Sequence, residues 1–321
     1  AAAEWTVAIY LNADNNLEPD GLLDIEEMIL VGSPPGTDVV VLLDLDTEQN
    51  GEARMLYIND GSTTELENYG EIDMGDWHTL RDFGLYVAEH FPARHYALIL
   101  WDHGNGFYKS VSAQENPLFK GFSSDDHGAI GEISVANGDY ARAMAPIVTA
   151  LGRRLDLLAF DACLMGMWEV ATVTRPFARH FVASAETIPS TGYDYEQVLT
   201  PLLTSPATLT ATVLGTAIVE SYFTENTWNS TLTLTDLDAL PALSTAVYNL
   251  GQALLDNPGF YAQAEQVRAA TPAYSTSEHI DLYHFAEQFT FMSSAPLAVA
   301  LAANEVVTAM EAVVVHHRAQ S

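Results

Sequence analysis

The stretch Leu155-Asp156-Leu157-Leu158-Ala159-Phe160-Asp161-Ala162-Cys163 decides the fold. Its centre is short, apolar and unbroken, the pattern of a strand buried on both faces of a parallel sheet. It closes on an acid and then on the one cysteine of the chain. An earlier run, Tyr96-Ala97-Leu98-Ile99-Leu100-Trp101, ends the same way, in Asp102-His103-Gly104. Parallel strands present catalytic groups at their carboxyl ends. A thiol and an imidazole placed past two such ends can meet across the top of one sheet, as a cysteine nucleophile and its histidine base do. A lone cysteine is more often a small core hydrophobe, and a lone histidine before glycine carries little. The shared pattern of the two runs is what favours catalysis.

Outward from these runs the chain alternates. Residues 5–11 read as a strand, 21–30 as a helix with Asp20 as N-cap, and 38–45 as a second strand. Segments 53–58 and 65–72 suggest a hairpin about Asn59-Asp60-Gly61. Asp76 can cap a helix running to about His90, which Pro92 stops. A helix from Gly138 or Asp139 towards Leu151 precedes the Cys163 strand; a helix over 166–173 and a strand over 181–184 follow. This βαβ punctuation predicts an α/β fold, a mostly parallel sheet with helices on both faces. After a last strand at Ser230–Asp236 the pattern turns helical over 238–255, 261–270, 279–289 and 295–317. The expected division is a catalytic core over 1–236 and a helical C-terminal subdomain over 237–321 packed on it.

Composition limits the function. With 43 acidic against 12 basic residues the net charge is −31, which speaks strongly against nucleic acid as a partner. Such a field attracts basic ligands, although acidity for solubility is common. No apolar run reaches the roughly 18 residues a membrane span needs, and one cysteine allows no intrachain disulfide. The chain begins Ala1-Ala2-Ala3-Glu4, as a mature or trimmed protein would, so a signal peptide would not be visible.

Four motifs now stand in order: Tyr10-Leu11-Asn12-Ala13-Asp14-Asn15-Asn16-Leu17-Glu18; Leu100-Trp101-Asp102-His103-Gly104-Asn105-Gly106; Phe160-Asp161-Ala162-Cys163-Leu164-Met165-Gly166; and Ala183-Ser184-Ala185-Glu186 followed by Gly192-Tyr193-Asp194-Tyr195. Together they resemble the clostripain family of cysteine peptidases, in the caspase-like clan. Asn105 and Ala185 depart from that pattern, where many relatives carry Gly and Glu. The resemblance implies a caspase-like fold, export to a secreted or periplasmic location, cleavage after Arg or Lys, and an acid in the last motif that reads the substrate's cation. Asp194 fits that acid best. The resemblance also implies oxyanion donors at the backbone N–H groups of Gly104 and Cys163, and leaves a structural calcium ion open.

The chemistry of the residues is consistent with this. A thiol must act as thiolate, and His103 would supply the base and later the acid. A working dyad would hold Cys163 partly as thiolate, reactive towards iodoacetamide at pH 6. Asp102 is unlikely to orient His103, because neighbouring side chains on a strand point to opposite faces. Asp161 shares the face of Cys163 and could form the pocket floor, or be an ordinary strand-end acid. Thr191 can share the pocket, and Asp14 can help shape it or form an Asx turn. The only two lysines, Lys109 and Lys120, both lie between His103 and Cys163. Since some family members cut themselves in this stretch, autoprocessing within the 105–121 loop is expected at one of them.

Two rival readings remain. A metal-dependent hydrolase would draw on Asp102, His103, Asp126 and His127, without any His-Glu-x-x-His motif. A relative that binds peptides without cutting them would need no dyad. The segment Asp44-x-Asp46-x-Glu48-x-Asn50-Gly51 places its glycine two positions late for an EF-hand loop. No Gly-x-Ser-x-Gly occurs, which disfavours a serine hydrolase.

Overall fold

The computed structural model describes residues 2–46, 51–107, 121–129, 131–225, 230–275 and 277–320. The strands are β1 (Ala3–Ala13), β2 (Thr37–Leu45), β3 (Ala53–Asn59), β4 (Ser62–Gly70), β5 (Ala93–Trp101), β6 (Leu155–Asp161), β7 (Ala178–Ala183), β8 (Ser230–Asp236) and β9 (Val314–Gln320). They form one sheet in the order β4-β3-β2-β1-β5-β6-β7-β8-β9. Strands β2, β1, β5, β6 and β7 run parallel to one another, and β3 and β4 add an antiparallel hairpin on the outer side of β2. The register places Leu11 beside Trp101 and Trp101 beside Asp161. The segments after β1, β5 and β6 therefore leave the same sheet edge at the same level.

Both faces are covered. On one, α1 (Glu18–Val31), α5 (Tyr195–Leu199) and α7 (Ala211–Glu225) bury Met28, Val198, Leu214 and Ile218 against Val7, Ile9, Ile99, Leu157 and Ala159. On the other lie α2 (Trp77–His90) and α3 (Asp139–Leu151). There Phe83 meets Tyr10 with ring centres 5.8 Å apart, and Tyr140 meets Phe160 at 5.9 Å. Each such buried side chain contributes about 1.5–3 kcal/mol. Remaining helices of this unit are α4 (Trp168–Thr174) and the short α6 (Pro201–Thr204).

The chain divides into two compact units, residues 1–234 with 316–321, and residues 235–315. The second holds α8 (Leu240–Leu255), α9 (Tyr261–Ala270), α10 (Leu282–Phe291) and α11 (Leu297–Val313). Its core gathers Leu243, Leu250, Phe260, Phe289, Val299 and Val306, with Phe285 edge-on to Phe289 at 4.9 Å.

Several expected elements are corrected. Helix α11 stops at Val313 instead of continuing to His317, and the chain returns to the sheet as β9. Three successive valines, 313–315, favour extended backbone there. Side chains fasten the returning strand: Thr233 Oγ1 to His317 Nδ1 at 2.8 Å, and Glu220 to His316 and Arg318, each at 2.6 Å. Asp20 does not cap α1, which begins two residues earlier with Pro19 in its first turn. Asn15 sets that start, its Oδ1 accepting from Leu17 N–H and its carbonyl from Glu18 N–H. Asp76 does cap α2, accepting from His78 N–H.

Candidate active site

Parallel pairing of β5 and β6 brings the His103 and Cys163 segments side by side, with Asp102 N–H donating to the Asp161 carbonyl at 3.2 Å. Gly104 packs directly on Cys163. A Cβ there would run into the Cys163 carbonyl oxygen and lie 3.1 Å from its nitrogen, so only glycine fits. A short bridge supports the histidine from the other side: Asn105 N–H donates to Gly121, and Ser123 N–H to the His103 carbonyl. Gly104 is the unbonded member of its pair with Phe122, so its own N–H takes no part in that ladder.

The turn after Cys163 is unusual backbone. Leu164 has φ +62°, a left-handed conformation that costs a side-chain-bearing residue roughly 1–3 kcal/mol. It is held by Leu164 N–H on the Glu186 carbonyl and Gly166 N–H on the Ser184 carbonyl, at 3.2 and 2.6 Å. Cys163 Sγ accepts from Ile188 N–H at 3.3 Å, and His103 Nε2 bonds Asn16 Oδ1 at 2.8 Å. In this conformation the two groups are thus bonded to different partners.

Burial pushes the Cys163 thiol up, aided by the charges of Asp161 and Glu186. Burial also pushes His103 down, against the pull of Asp126. Both shifts favour the neutral forms. In this conformation burial disfavours the partial thiolate that a working dyad needs. The oxygen on Asn16 fixes the Nε2–H tautomer of a neutral imidazole and leaves Nδ1 as its basic atom.

Asp102 is buried and does not orient the ring: it accepts from Asn15 Nδ2 at 2.9 Å and Asn12 Nδ2 at 3.2 Å. The same two amides donate to the Ser124 carbonyl. Asn12, Asn15 and Asn16 thereby tie the end of β1 to both the His103 segment and residues 123–124. No sequence signal marks these roles, since the amide that meets an imidazole is visible only once β1 and β5 are paired.

The acids expected to bind substrate separate. Asp161 is buried and accepts on Oδ2 from Tyr193 N–H and Tyr195 O–H, each at 3.2 Å, while Oδ1 has no hydrogen-bond partner. Burial pushes this carboxyl up to about 7. Gly192, at φ +53°, comes so close that a Cβ would lie 2.8 Å from both oxygens. Asp194 caps α5 and turns both oxygens to Gln197, one to its N–H and one to its side-chain amide. Thr191, Gly192 and Asp194 line a pocket shared with Asp20, Asp24 and Glu27. Asp14 lies apart from that pocket, fully buried with Oδ1 2.6 Å from His127 Nδ1.

Among the described residues the metallohydrolase quartet does not converge. Asp102 faces asparagine amides, His103 faces Asn16, Asp126 is exposed, and His127 groups with Asp14 and Asp46. Lys109 and Lys120 lie outside the described residues.

Residues 9–321 match the Clostripain family. At 26% identity the chain is similar to clostripain of Hathewaya histolytica, over 89% of this chain and 61% of that protein, so it spans about three fifths of that relative's length. A secreted C11 cysteine protease from Bacteroides thetaiotaomicron, solved with an irreversible peptide inhibitor, superposes with a TM-score of 0.74 at 19% identity, covering 98% of this chain and 84% of that one. An inactive zymogen C11 protease from Parabacteroides distasonis gives 0.67 at 20% identity, covering 100% and 85%. The chain belongs to the clostripain family, and its fold is the caspase-like α/β fold of these proteases.

Proposed function

We propose that the protein is a cysteine endopeptidase that cleaves after Arg or Lys, with Cys163 as nucleophile and His103 as base. The observation that carries this reading is the fit of Gly104 against the Cys163 backbone, which joins the imidazole and thiol segments at one sheet edge. Cys163 gives its proton to His103 Nδ1 as Sγ attacks the substrate carbonyl carbon. The oxyanion accepts from the N–H groups of Gly104 and Cys163. Collapse breaks the peptide bond, and the imidazolium protonates the leaving amine. Water, deprotonated by the same imidazole, then hydrolyses the thioester and restores the thiol. For this, Sγ must leave the Ile188 N–H, a weak bond to sulfur, while Asn16 keeps its hold on Nε2 as a positioning residue.

Specificity rests on Asp161 in this account. Its Oδ1 is a buried carboxylate oxygen without a hydrogen-bond partner, on the residue two before the nucleophile. A guanidinium or ammonium reaching it past Thr191 and Gly192 would find an uncompensated acceptor. Asp194 serves the same loop by capping α5. The net charge of −31 favours cationic substrates at longer range. Export fits the secreted relative, and self-activation after Lys109 or Lys120 fits the same specificity.

The test is kcat/KM on peptides ending in Arg, Lys, Asp or Asn. Arg and Lys turnover that vanishes in Cys163→Ala, together with a self-cleaved band that vanishes in the same variant, is the expected result. Turnover surviving in that variant would place the nucleophile elsewhere, and a parent chain inert towards every peptide would favour the peptide-binding reading.

A further inference from the structure

Helix α1 carries acids at Asp20, Asp24 and Glu27, a spacing that sets them along one face, and all three line the pocket shared with Thr191, Gly192 and Asp194. The outer two hold the 190–195 segment: Ser190 Oγ donates to Asp20 Oδ1 at 3.3 Å, and Tyr195 N–H donates to Glu27 Oε2 at 2.7 Å. The middle acid is held from the sheet instead. Trp101 Nε1–H donates to Asp24 Oδ2 at 2.6 Å, and Asp24 is 3% exposed.

Sheet register brings this acid towards Asp161. Trp101 and Asp161 are direct partners across β5 and β6, and partners in a parallel ladder send their side chains to the same face. On that face the Trp101 ring lies under α1, where a Cβ on Gly21 would come within 3.4 Å of it. Asp161 stands behind Gly192, which lines the pocket, and its Oδ1 is buried without a hydrogen-bond partner. The two carboxyls therefore approach one pocket from two elements, Asp24 from α1 and Asp161 from β6. Burial, and next the charge of Asp161, push the Asp24 carboxyl up to about 10. Two buried acids so placed are costly to ionise together unless a cation lies between them.

We propose that Asp24 is a specificity-determining residue, the second acid of this pocket, and that a substrate guanidinium is held between it and Asp161. The planar Arg fork offers five N–H donors and can reach carboxyls on two elements at once, whereas a Lys ammonium is a compact point charge that Asp161 alone can serve. Asp24 thereby favours Arg over Lys, a distinction that one acid behind Gly192 draws poorly. The inference rests on the peptidase reading and on the role given there to Asp161.

The experiment uses the full chain as Cys163→Ala, so that neither turnover nor self-cleavage enters the readout. Three peptides that differ only in carrying Arg, Lys or norleucine before the scissile bond are titrated calorimetrically into this protein and into the same protein with Asp24→Asn. The Arg peptide should bind tightest, and Asp24→Asn should weaken it about tenfold or more while changing the Lys peptide by less than about threefold. A melting temperature no lower than that of the parent shows that the variant is folded; if it is lower, Asp24→Ser is titrated under the same criterion. An Arg-to-Lys ratio unchanged in the folded variant, with both basic peptides still tighter than norleucine, overturns the proposal and leaves basic specificity standing. Arg and Lys peptides that bind Cys163→Ala no better than norleucine overturn the specificity reading itself, and this inference with it.

Discussion

The recognition role proposed for Asp161 is tied to its burial. Its carboxyl, raised by burial from an ordinary 3.8 to about 7, is neutral below that pH and anionic above it. A neutral carboxyl attracts a guanidinium weakly, so KM for Arg peptides should fall as pH rises through about 7, while KM for a neutral side chain of similar length should not. The same shift has a stability consequence. A raised folded-state pKa means that ionisation opposes folding, an effect that grows above the unfolded value and levels off beyond about 7. Asp161→Asn should therefore melt no lower than the parent at pH 8, and higher if the charge is as poorly compensated as its geometry indicates. Its kcat/KM on Arg peptides should nevertheless drop roughly 30-fold or more, the scale of losing one partner of a buried charge pair. A drop confined to Asp194→Asn would move specificity to the capping residue.

Among the elements, the strands that end at the site were legible in the sequence because burial on both faces leaves an unbroken apolar run. The pairing of β5 with β6 then fixed where His103 and Cys163 would emerge. The stretch from α5 to α7 was not legible: α5 and α6 are one-turn pieces separated at Pro201, and α7 is apolar on nearly every face, so no helical stripe marks it. Strand β9 was hidden because its valines continue the aliphatic composition of α11. Asp194 belongs to this scale. Replacing it by Ala should lower stability by about 0.5–2 kcal/mol, as loss of an N-cap does, measured by denaturant unfolding. The site was legible where chemistry clusters in sequence and illegible where topology assembles it. His103, Gly104 and Cys163 stand in compact motifs, whereas Asn16 and His103 come together only after β1 and β5 are paired.

Over the whole molecule, the charge of −31 and the acids lining the 191–194 pocket have the same sign. Raising ionic strength from about 0.02 to 0.5 M should lower kcat/KM for basic peptides several-fold through slower, less steered association, and leave neutral substrates nearly unchanged. Equal effects on both would remove long-range charge from the account. Covalent labelling tests whether Cys163 and His103 act as one unit behind a cation-reading pocket. The protein is treated with an arginyl chloromethyl ketone and the modified residue is located by peptide mapping. A single adduct on Cys163 is expected, formed much more slowly in His103→Ala and in Asp161→Asn. An adduct on another residue, or a Cys163 adduct formed at the parent rate without His103, would contradict it.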